Sequence, residues 1–385
     1  MMQAVILAAG EGKRIRPMTR SRPKAMIPVA NRPIIAYVID ALVKNGIRDI
    51  IVVVGYRKEQ VIRYLNQLDI PVEVVVQDKQ IGTAQALKCA ETHLKGDFIV
   101  LPGDNYIDAH SIARIKAVKN AVLVKEHPNP SNFGVVTLHE GFITNIVEKP
   151  QHAASFMVST GIYSLTKDFF RFVRENDITD AVSLMLKSGE KLQGVPADDW
   201  QDAIYPWDLL KLNARLLKNI SPSREGGASR QTIISGPVLI GKGSTIGANT
   251  IITGPVVIGD DCEIGPNCCI LPNTSIGSRV TIEPFTLIGN SLIMDDTRVA
   301  SHSRIMETVA GERCSLGDHT STTSGESLIE IQGVILKPEF GVIIGDQVTS
   351  GPFTVYHNCI TGNNVKIGSI NRVISGILPD DSTVI

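Results

Sequence analysis

Nine isoleucines recur at intervals of six residues in the second half of this 385-residue chain. A six-residue period fits neither an α-helix, which repeats every ~3.6 residues, nor a simple strand, which repeats every ~2. It is typical of a parallel β-helix, in which stacked coils bury the isoleucine column and turn at their corners. Six of the nine isoleucines are followed by glycine. The series is Ile240, Ile246, Ile252, Ile258, Ile264, Ile270, Ile276, Ile282 and Ile288.

A second column, four residues after each isoleucine, consists mostly of small side chains that suit the inside of such a coil. Cys262 and Cys268 belong to this column, so packing explains them better than chemistry does. The repeat fades after residue 294 and partly returns at Ile344 and Ile367 in an altered register. The segment from Asp295 to Phe340 is expected to be either an excursion from the coil or a set of irregular coils.

The first 220 residues follow a different pattern, in which short apolar runs alternate with helical spacing. Runs at 4–8, 50–54, 72–76 and 98–101 predict strands. This alternation indicates a mainly parallel, Rossmann-like sheet covered by helices, whose ligands sit at the carboxyl ends of the strands. The expected fold class is therefore α/β with a mixed, mainly parallel sheet over residues 1–220, followed by a linker at 221–232 and a left-handed parallel β-helix over 233–385.

Composition excludes several function classes. The 38 basic residues nearly balance 39 acidic ones, which argues against binding along a nucleic acid. An apolar stretch long enough to span a membrane is absent from the sequence, and an apolar strand begins within two residues of the N-terminus instead of a leader pattern. The six cysteines show no zinc-ligand spacing. We expect a cytoplasmic protein without membrane or nucleic-acid partners.

The strongest chemical signal follows the first strand. Residues 7–19 read LAAGEGKRIRPMT and residues 20–24 read RSRPK, which places six basic residues between positions 13 and 24. Two glycines allow backbone amides to approach a phosphate, so the segment favours polyphosphate binding. It matches neither a Walker A loop nor the dinucleotide fingerprint. The alternative is a solvated basic loop after an edge strand.

The pattern LAAG-x-G-x-R-x-x-P-x-T followed by P-K resembles the opening of sugar-1-phosphate nucleotidylyltransferases of the glucose-1-phosphate thymidylyl- and uridylyltransferase kind. Further motifs in the same order extend the resemblance over residues 1–220. These motifs are Gln77 with Gly82-Thr83, LPGDN at 101–105, EKP at 148–150, Thr160-Gly161, and WQD at 200–202. The resemblance implies magnesium-dependent transfer of a nucleotidyl group from UTP or dTTP to a sugar-1-phosphate, with release of pyrophosphate.

The resemblance assigns a role to each of these positions. Asp104 and Asp202 would bind magnesium, and Arg14, Lys24 and Lys149 would offset charge during the reaction. The NTP would contact Leu7, Ala9, Gly10, Gly12, Arg14, Gln77, Gly82 and Thr83, and the sugar phosphate would contact Gly134, Glu148, Lys149 and Thr160. Independently of the resemblance, Asp104 ends an apolar strand, where a carboxylate is costly without a metal or another partner. The alternatives are a turn or helix cap at Asp104 and a helix cap at Asp202.

The hexapeptide repeat resembles the acyltransferase modules of bifunctional enzymes that also acetylate amino-sugar phosphates with acetyl-CoA. His302 stands near that family's base and is either this base or a surface or coil-packed histidine. The sequence at 318–328 and around Lys337 departs from the family's Asn-containing and basic segments. A homotrimer or a dimer of trimers through the β-helix is expected. A bifunctional acetyltransferase and a non-catalytic regulatory or scaffold subunit remain alternatives, although the retained basic loop and carboxylates favour an enzyme.

Overall fold

The computed structural model describes residues 2–385, which form two compact units. The sheet unit comprises the chain up to Glu11 together with Arg22–Met26 and Ile34–Asp202. The coil unit comprises Gly12–Ser21, Ile27–Pro33 and Ala203–Ile385. Two short segments near the N-terminus therefore pack with the C-terminal part of the chain.

The helices and the first strands alternate along the chain, as the apolar pattern predicts. The helices are α1 (Ile34–Lys44), α2 (Lys58–Leu65), α3 (Thr83–Cys89), α4 (Ala109–Lys116), α5 (Ile178–Lys187) and α6 (Asp208–Leu217). The strands before residue 203 are β1 (Gln3–Ala8), β2 (Pro28–Val29), β3 (Arg32–Pro33), β4 (Ile50–Val54), β5 (Val72–Val76), β6 (Phe98–Pro102), β7 (Asn105–Ile107), β8 (Ala121–Glu126), β9 (Gly134–His139), β10 (Phe142–Glu148), β11 (Met157–Leu165), β12 (Gln193–Pro196) and β13 (Trp200–Asp202). Within the described residues, each helix is too short or too polar to span a bilayer.

The sheet unit is built on a mixed sheet with the strand order β5-β4-β1-β6-β11-β8-β12-β10-β9. The first four strands are parallel, and β11 then runs antiparallel to β6. Every residue of β4 is buried, which explains its uninterrupted apolar sequence. The pairing aligns Ala8 with Val54 and Leu7 with Pro102, so the carboxyl ends of these strands share one edge. The expected mainly parallel α/β sheet is confirmed.

The coil unit contains long ladders of short parallel strands. Ile240 pairs with Ile258, and Ile258 pairs with Ile276, so one coil takes three of the six-residue repeats. All nine isoleucines of the series are at most 4% exposed. This architecture confirms the β-helix and is consistent with its left-handed form. Its strands are β14 (Ser223–Arg224), β15 (Gly227–Ala228), β16 (Ile233–Ser235), β17 (Val238–Ile240), β18 (Thr245–Ile246), β19 (Ile251–Thr253), β20 (Val256–Ile258), β21 (Glu263–Ile264), β22 (Cys269–Ile270), β23 (Thr274–Ile276), β24 (Thr281–Ile282), β25 (Leu287–Gly289), β26 (Leu292–Ile293), β27 (Arg298–Val299), β28 (Arg304–Met306), β29 (Thr308–Ala310), β30 (Ser315–Leu316), β31 (Ser321–Thr323), β32 (Gly325–Glu326), β33 (Ile329–Ile331), β34 (Val334–Leu336), β35 (Glu339–Phe340), β36 (Val342–Ile344), β37 (Thr349–Ser350), β38 (Val355–Thr361), β39 (Lys366–Ile367), β40 (Arg372–Leu378) and β41 (Thr383–Val384).

The fading of the repeat has two causes. After residue 290 the coils become one residue shorter, since Ile276 pairs with Ile293 and Ile288 pairs with Ile305. Residues 324–341 then leave the coil, where β32 pairs with β35 and β33 pairs with β34 in antiparallel fashion. Irregular coils and an excursion thus both occur, in succession. Cys262 and Cys268 are 2% exposed and face inward, and within the described residues all six cysteines are free thiols.

The segment 221–232, interpreted from its composition as a linker, contains the first coil strands. Ser223 in β14 pairs with Leu239 of β17, and Gly227 in β15 pairs with Thr245 of β18. Its side chains are mostly exposed, because a terminal coil covers its neighbour on one side only. The polar composition that indicates a linker therefore also suits the capping end of a stacked fold.

Strand β19 offers a matched test of the isoleucine column. Ile252 is fully buried, whereas the adjacent Ile251 points outward and is 42% exposed. We expect Ile252→Ala to lower the free energy of unfolding by about 3 kcal/mol, because it leaves a cavity in the coil. Ile251→Ala should cost less than about 1 kcal/mol. Denaturant unfolding of the two variants checks this, and equal losses would contradict the assignment of the buried column.

Candidate active site

The carboxyl edge of the parallel strands brings together the first residues of the N-terminal motif and the segments predicted to bind the base and the metal. Ala9 and Gly10 follow β1, Gln77 follows β5, and Asp104 lies in the turn after β6. Backbone hydrogen bonds link these connections: the Gln77 N–H donates to the Val54 carbonyl at 2.8 Å, and the Gly103 N–H donates to the Leu7 carbonyl at 2.9 Å. Parallel register thus brings together residues about a hundred positions apart.

The turn that carries Asp104 depends on the glycine before it. A Cβ atom at Gly103 would lie 2.9 Å from the Ile6 Cγ2 atom and 3.2 Å from the Ala8 Cβ atom. Such distances are too short for normal packing, so a larger residue would displace the turn from β1. Gly103 therefore allows the carboxylate to sit directly above the end of the buried strand.

A separate two-stranded sheet places Asp202 close to Asp104. Strands β7 and β13 run antiparallel, and their register places Asp202 opposite Asn105, the residue after Asp104. Asp202 is not the cap of α6, because the helix begins at Asp208 and Trp207 occupies the cap position. The two carboxylates predicted to bind metal are therefore neighbours in space.

Lys24 joins these two carboxylates. Its Nζ atom lies 3.1 Å from Oδ2 of Asp104 and 2.5 Å from Oδ1 of Asp202. Lys24 is only 7% exposed, whereas the Asp104 and Asp202 side chains are 36% and 23% exposed. The ammonium group thus lies under two carboxylates that still face solvent.

Charge explains why a buried lysine is tolerated here. Burial by itself lowers the pKa of Lys24, but attraction by Asp104 and Asp202 and hydrogen bonds to both raise the pKa above its ordinary value. The side chain is therefore a cation at neutral pH. This sheet edge can consequently hold one positive charge between two acidic groups.

The predicted base-binding segment forms a loop in which a hydrogen bond joins Gln77 to Gly82. The Gln77 side chain is buried, and its Nε2 donates to the Gly82 carbonyl at 3.2 Å. Gly82 adopts φ 141°, and a Cβ atom there would lie 2.2 Å from the Asn176 carbonyl oxygen. The Thr83 hydroxyl lies 3.2 Å from Oδ1 of Asp177. The loop is therefore held in place by residues just before α5.

Glu148 and Lys149 lie at the end of β10 as an adjacent ion pair. The Lys149 Nζ is 2.7 Å from Oε1 of Glu148, and both side chains are partly exposed. Lys149 has φ 41°, and its N–H donates to the Phe133 carbonyl at 3.0 Å. Glu148 pairs with Gly134 on β9, and a Cβ atom at Gly134 would lie 3.3 Å from Oε2 of Glu148. The missing side chain at Gly134 therefore leaves room for the carboxylate.

Thr160 lies in an irregular stretch of β11. The register of β11 against β8 shifts between Ser159 and Tyr163, and Gly161 adopts φ 78° there. The Thr160 hydroxyl donates to the Leu123 carbonyl at 3.1 Å, and its own carbonyl accepts the Asn105 side-chain amide at 3.4 Å. Thr160 is thus buried beside the strand that follows Asp104.

Gly12 and Arg14 belong to the coil unit. Gly12 has φ 71°, and its carbonyl accepts hydrogen bonds from the Ile15 N–H and the Thr19 hydroxyl, each at 3.0 Å. These bonds fold residues 12–19 into a compact turn on which Arg14 lies within a short 3-10 helix. The predicted phosphate contacts of Gly12 and Arg14 stay predictions.

Similarity to known proteins agrees with this arrangement. The sequence model of the nucleotidyl transferase family matches residues 3–219, more than half of the chain. The chain belongs to this family. A second model, the GMPPB C-terminal domain, matches residues 252–379. The resemblance inferred from the motifs is confirmed, and so is the classification of the chain as an enzyme.

Two relatives of this nucleotidyl transferase match nearly its whole length. It is 37% identical to the bifunctional protein GlmU of Methanococcus maripaludis over 98% of this chain and 95% of the relative. It is 30% identical to the bifunctional sugar-1-phosphate nucleotidylyltransferase/acetyltransferase of Sulfurisphaera tokodaii over 97% of this chain and 96% of the relative. A solved structure from Bacillus anthracis, assigned as a glucose-1-phosphate thymidylyltransferase, has a TM-score of 0.53 and 28% identity, covering 58% of this chain and 98% of that one.

His302 lies in a column of stacked rings at one corner of the coil. Its imidazole is 4.9 Å from the Phe285 ring and 5.0 Å from the His319 ring, with nearly parallel planes. His319 in turn stacks on Phe353 at 4.6 Å. His302 is exposed and has φ 56°, so both faces of its ring contact other rings while its edge faces solvent. Its role as a base stays a prediction.

Asn176 and Asp177 of the nucleotidyl transferase were not predicted as functional residues. They hold Gly82 and Thr83 from a position about ninety residues away in the chain. In the sequence, Asp177 stands directly before the apolar pattern of α5, a position that predicts a helix cap. A helix cap is a local feature, so this position does not predict a contact with a distant loop.

Proposed function

We propose that this nucleotidyl transferase catalyses magnesium-dependent transfer of a nucleotidyl group from UTP or dTTP to a sugar-1-phosphate. The observation that carries the proposal is the convergence of Asp104 and Asp202 on one cation, Lys24, at the carboxyl edge of the sheet. Ligands of open α/β sheets bind at this edge. Ala9 and Gly10 after β1, and Gln77 after β5, lie along the same edge.

The pair of carboxylates fits a magnesium ion. Mg²⁺ takes one or two protein carboxylates and completes its shell with water and substrate phosphates. Asp104 and Asp202 would hold it, and both retain solvent-facing surface for that purpose. When bound, the ion supplies charge neutralisation for the phosphates.

The basic side chains supply the remaining charge. An oxygen of the sugar-1-phosphate attacks the α-phosphorus of the NTP, and the bond to the pyrophosphate leaving group breaks. The attacking phosphate is already ionised, so positioning and charge neutralisation are needed more than a general base. Lys24 and Arg14 would offset charge on the NTP phosphates, and Lys149 would offset charge on the sugar phosphate, with Glu148 on the sugar hydroxyls.

A second acidic cluster in the sheet unit serves a structural purpose. Asp108, His110 and Asp198 place ligand atoms within 4.8 Å of one another. Asp108, however, caps α4 by accepting the His110 and Ser111 N–H groups, and Asp198 accepts from Arg114 at 2.7 Å. Hydrogen bonds explain this cluster, so we place the catalytic metal at Asp104 and Asp202.

Pyrophosphate release across a matrix of NTPs and sugar-1-phosphates tests the proposal. We expect release with UTP or dTTP plus at least one of glucose-, glucosamine- and galactosamine-1-phosphate, and its loss when the divalent metal is chelated. ATP and GTP are the comparison substrates for the pyrimidine preference. A folded protein that releases no pyrophosphate with any pair would contradict the function.

Acetyl transfer by the coil unit is a second candidate, because two relatives named as bifunctional match nearly the whole chain. Acetyl-CoA with glucosamine- or galactosamine-1-phosphate should then release free thiol. His302 would be the base, so His302→Ala should abolish thiol release and leave pyrophosphate release intact. Failure of the wild-type chain to release thiol would contradict this candidate. The homotrimer or dimer of trimers expected through the β-helix also stays a prediction.

A further inference from the structure

One corner of the β-helix carries a column of polar side chains that tie successive coils together. In this column a carboxylate accepts a hydrogen bond from a backbone N–H one coil earlier. Oδ1 of Asp260 accepts from the Lys242 N–H at 2.8 Å. Oδ1 of Asp346 accepts from the Glu312 N–H at the same distance. These bonds stabilise the stacking of the coils wherever they occur.

Asp346 and Asp380 use their second oxygen for a different purpose. Oδ2 of Asp346 accepts a hydrogen bond from the Ser21 hydroxyl, and Oδ2 of Asp380 lies 3.0 Å from Nε of Arg20. Oδ1 of Asp380 meanwhile accepts from a backbone N–H in the preceding coil at 2.9 Å. Asp346 is 2% exposed, so its bond to Ser21 is protected from competing water.

Both contacts end on the same segment of the coil unit, Gly12–Ser21. Its middle is buried, since Ile15, Met18 and Thr19 are at most 1% exposed. Its far end is the part that Asp346 and Asp380 hold. The segment continues the glycine loop and carries Arg14, to which the proposed function assigns a contact with the NTP phosphates.

We propose that Asp346 and Asp380 are positioning residues for nucleotidyl transfer. Held at Arg20 and Ser21, the segment Gly12–Ser21 is ordered before the NTP arrives, so binding does not have to order it. The coil unit then contributes to nucleotidyl transfer without contacting a substrate. This inference rests on the proposed function, because that function is what places the NTP phosphates at Arg14.

The test compares three variants of the full chain. Asp380→Asn removes the charge opposite Arg20 but keeps an oxygen for the coil bond, and Asp346→Ala removes the contact with Ser21. Asp260→Ala is the control, because it removes the same type of coil bond as Asp346→Ala from a coil that does not bear these contacts. Pyrophosphate release gives KM and kcat, and amide hydrogen exchange reports the order of residues 12–21.

We expect Asp346→Ala to raise KM for the NTP about tenfold, the size of a lost charge-assisted hydrogen bond. Asp380→Asn should raise it about threefold, since the pair with Arg20 is more exposed. In both variants kcat and KM for the sugar phosphate should change less than about twofold, and residues 12–21 should exchange faster than in Asp260→Ala. Unchanged KM for the NTP, or an equal rise in Asp260→Ala, would overturn the inference while leaving the proposed function intact. A wild-type chain without turnover would overturn both.

Discussion

Asp104→Asn should lower the rate of nucleotidyl transfer by about 10²–10³-fold while leaving the protein folded. The substitution keeps the shape of the side chain but removes the charge that a magnesium ion needs. Asp104 is partly exposed and lies in a turn, and Lys24 keeps its ion pair with Asp202, so the free energy of unfolding should fall by no more than about 2 kcal/mol. Steady-state pyrophosphate release at saturating Mg²⁺, together with thermal unfolding, measures both quantities.

Asp97→Asn is the matched control for this variant. Asp97 precedes β6, whereas Asp104 follows it, and the Asp97 side chain is 35% exposed with Oδ2 2.8 Å from Nζ of Lys119. The Asp97→Asn variant therefore loses a comparable ion pair at the opposite end of the same strand. Its rate of nucleotidyl transfer should equal that of the wild type. A folded Asp104→Asn variant with full activity would exclude Asp104 as a metal ligand.

Lys24→Met should also reduce transfer by about 10²–10³-fold, because it removes a fixed cation from the phosphate site. It should have a second, opposite effect on metal binding. Without the ammonium group, Asp104 and Asp202 repel each other, so the variant should be less stable by about 2 kcal/mol in the absence of metal. Mg²⁺ should then raise the melting temperature of the variant more than that of the wild type.

Lys167→Met provides the comparison for that experiment. The Lys167 Nζ donates to the Leu94 carbonyl at 2.7 Å, so the same substitution removes a lysine that bonds to a neutral backbone acceptor. Its response to Mg²⁺ should equal that of the wild type. If Mg²⁺ stabilises Lys24→Met and Lys167→Met equally, the two carboxylates are not the metal site.

The parts of the fold that repeat locally could be predicted from the sequence. Ile240, Ile258 and Ile276 stack in the structure at the spacing that the six-residue period implies. Asp104 was predicted as a site residue from the resemblance and from its position at the end of an apolar strand, whereas Gln77 was predicted from the family motif alone. Both follow parallel strands that end at one edge of the sheet. In both cases the information lies within a short window of the chain.

What could not be predicted depends on contacts between distant positions. Ser21 and Asp346 are 325 residues apart, and nothing periodic connects a serine in a basic loop with one acidic corner of a coil. The pairing that sets Asp202 beside Asp104 involves two very short strands, β7 and β13, whose sequences have too few residues for an alternating pattern. Motif order suggested both aspartates, but only tertiary structure shows Lys24 between them.

The excursion at residues 324–341 has a consequence for how such chains can diversify. In the preceding coil a single residue, Glu307, joins β28 to β29. In the next coil the same corner holds two pairs of antiparallel strands, yet Thr308 still pairs with Val342 directly across the interruption. One corner can therefore accept a long insertion without loss of stacking on either side. Segments of different length and sequence could therefore be exchanged at this corner while the coils on either side keep their pairing.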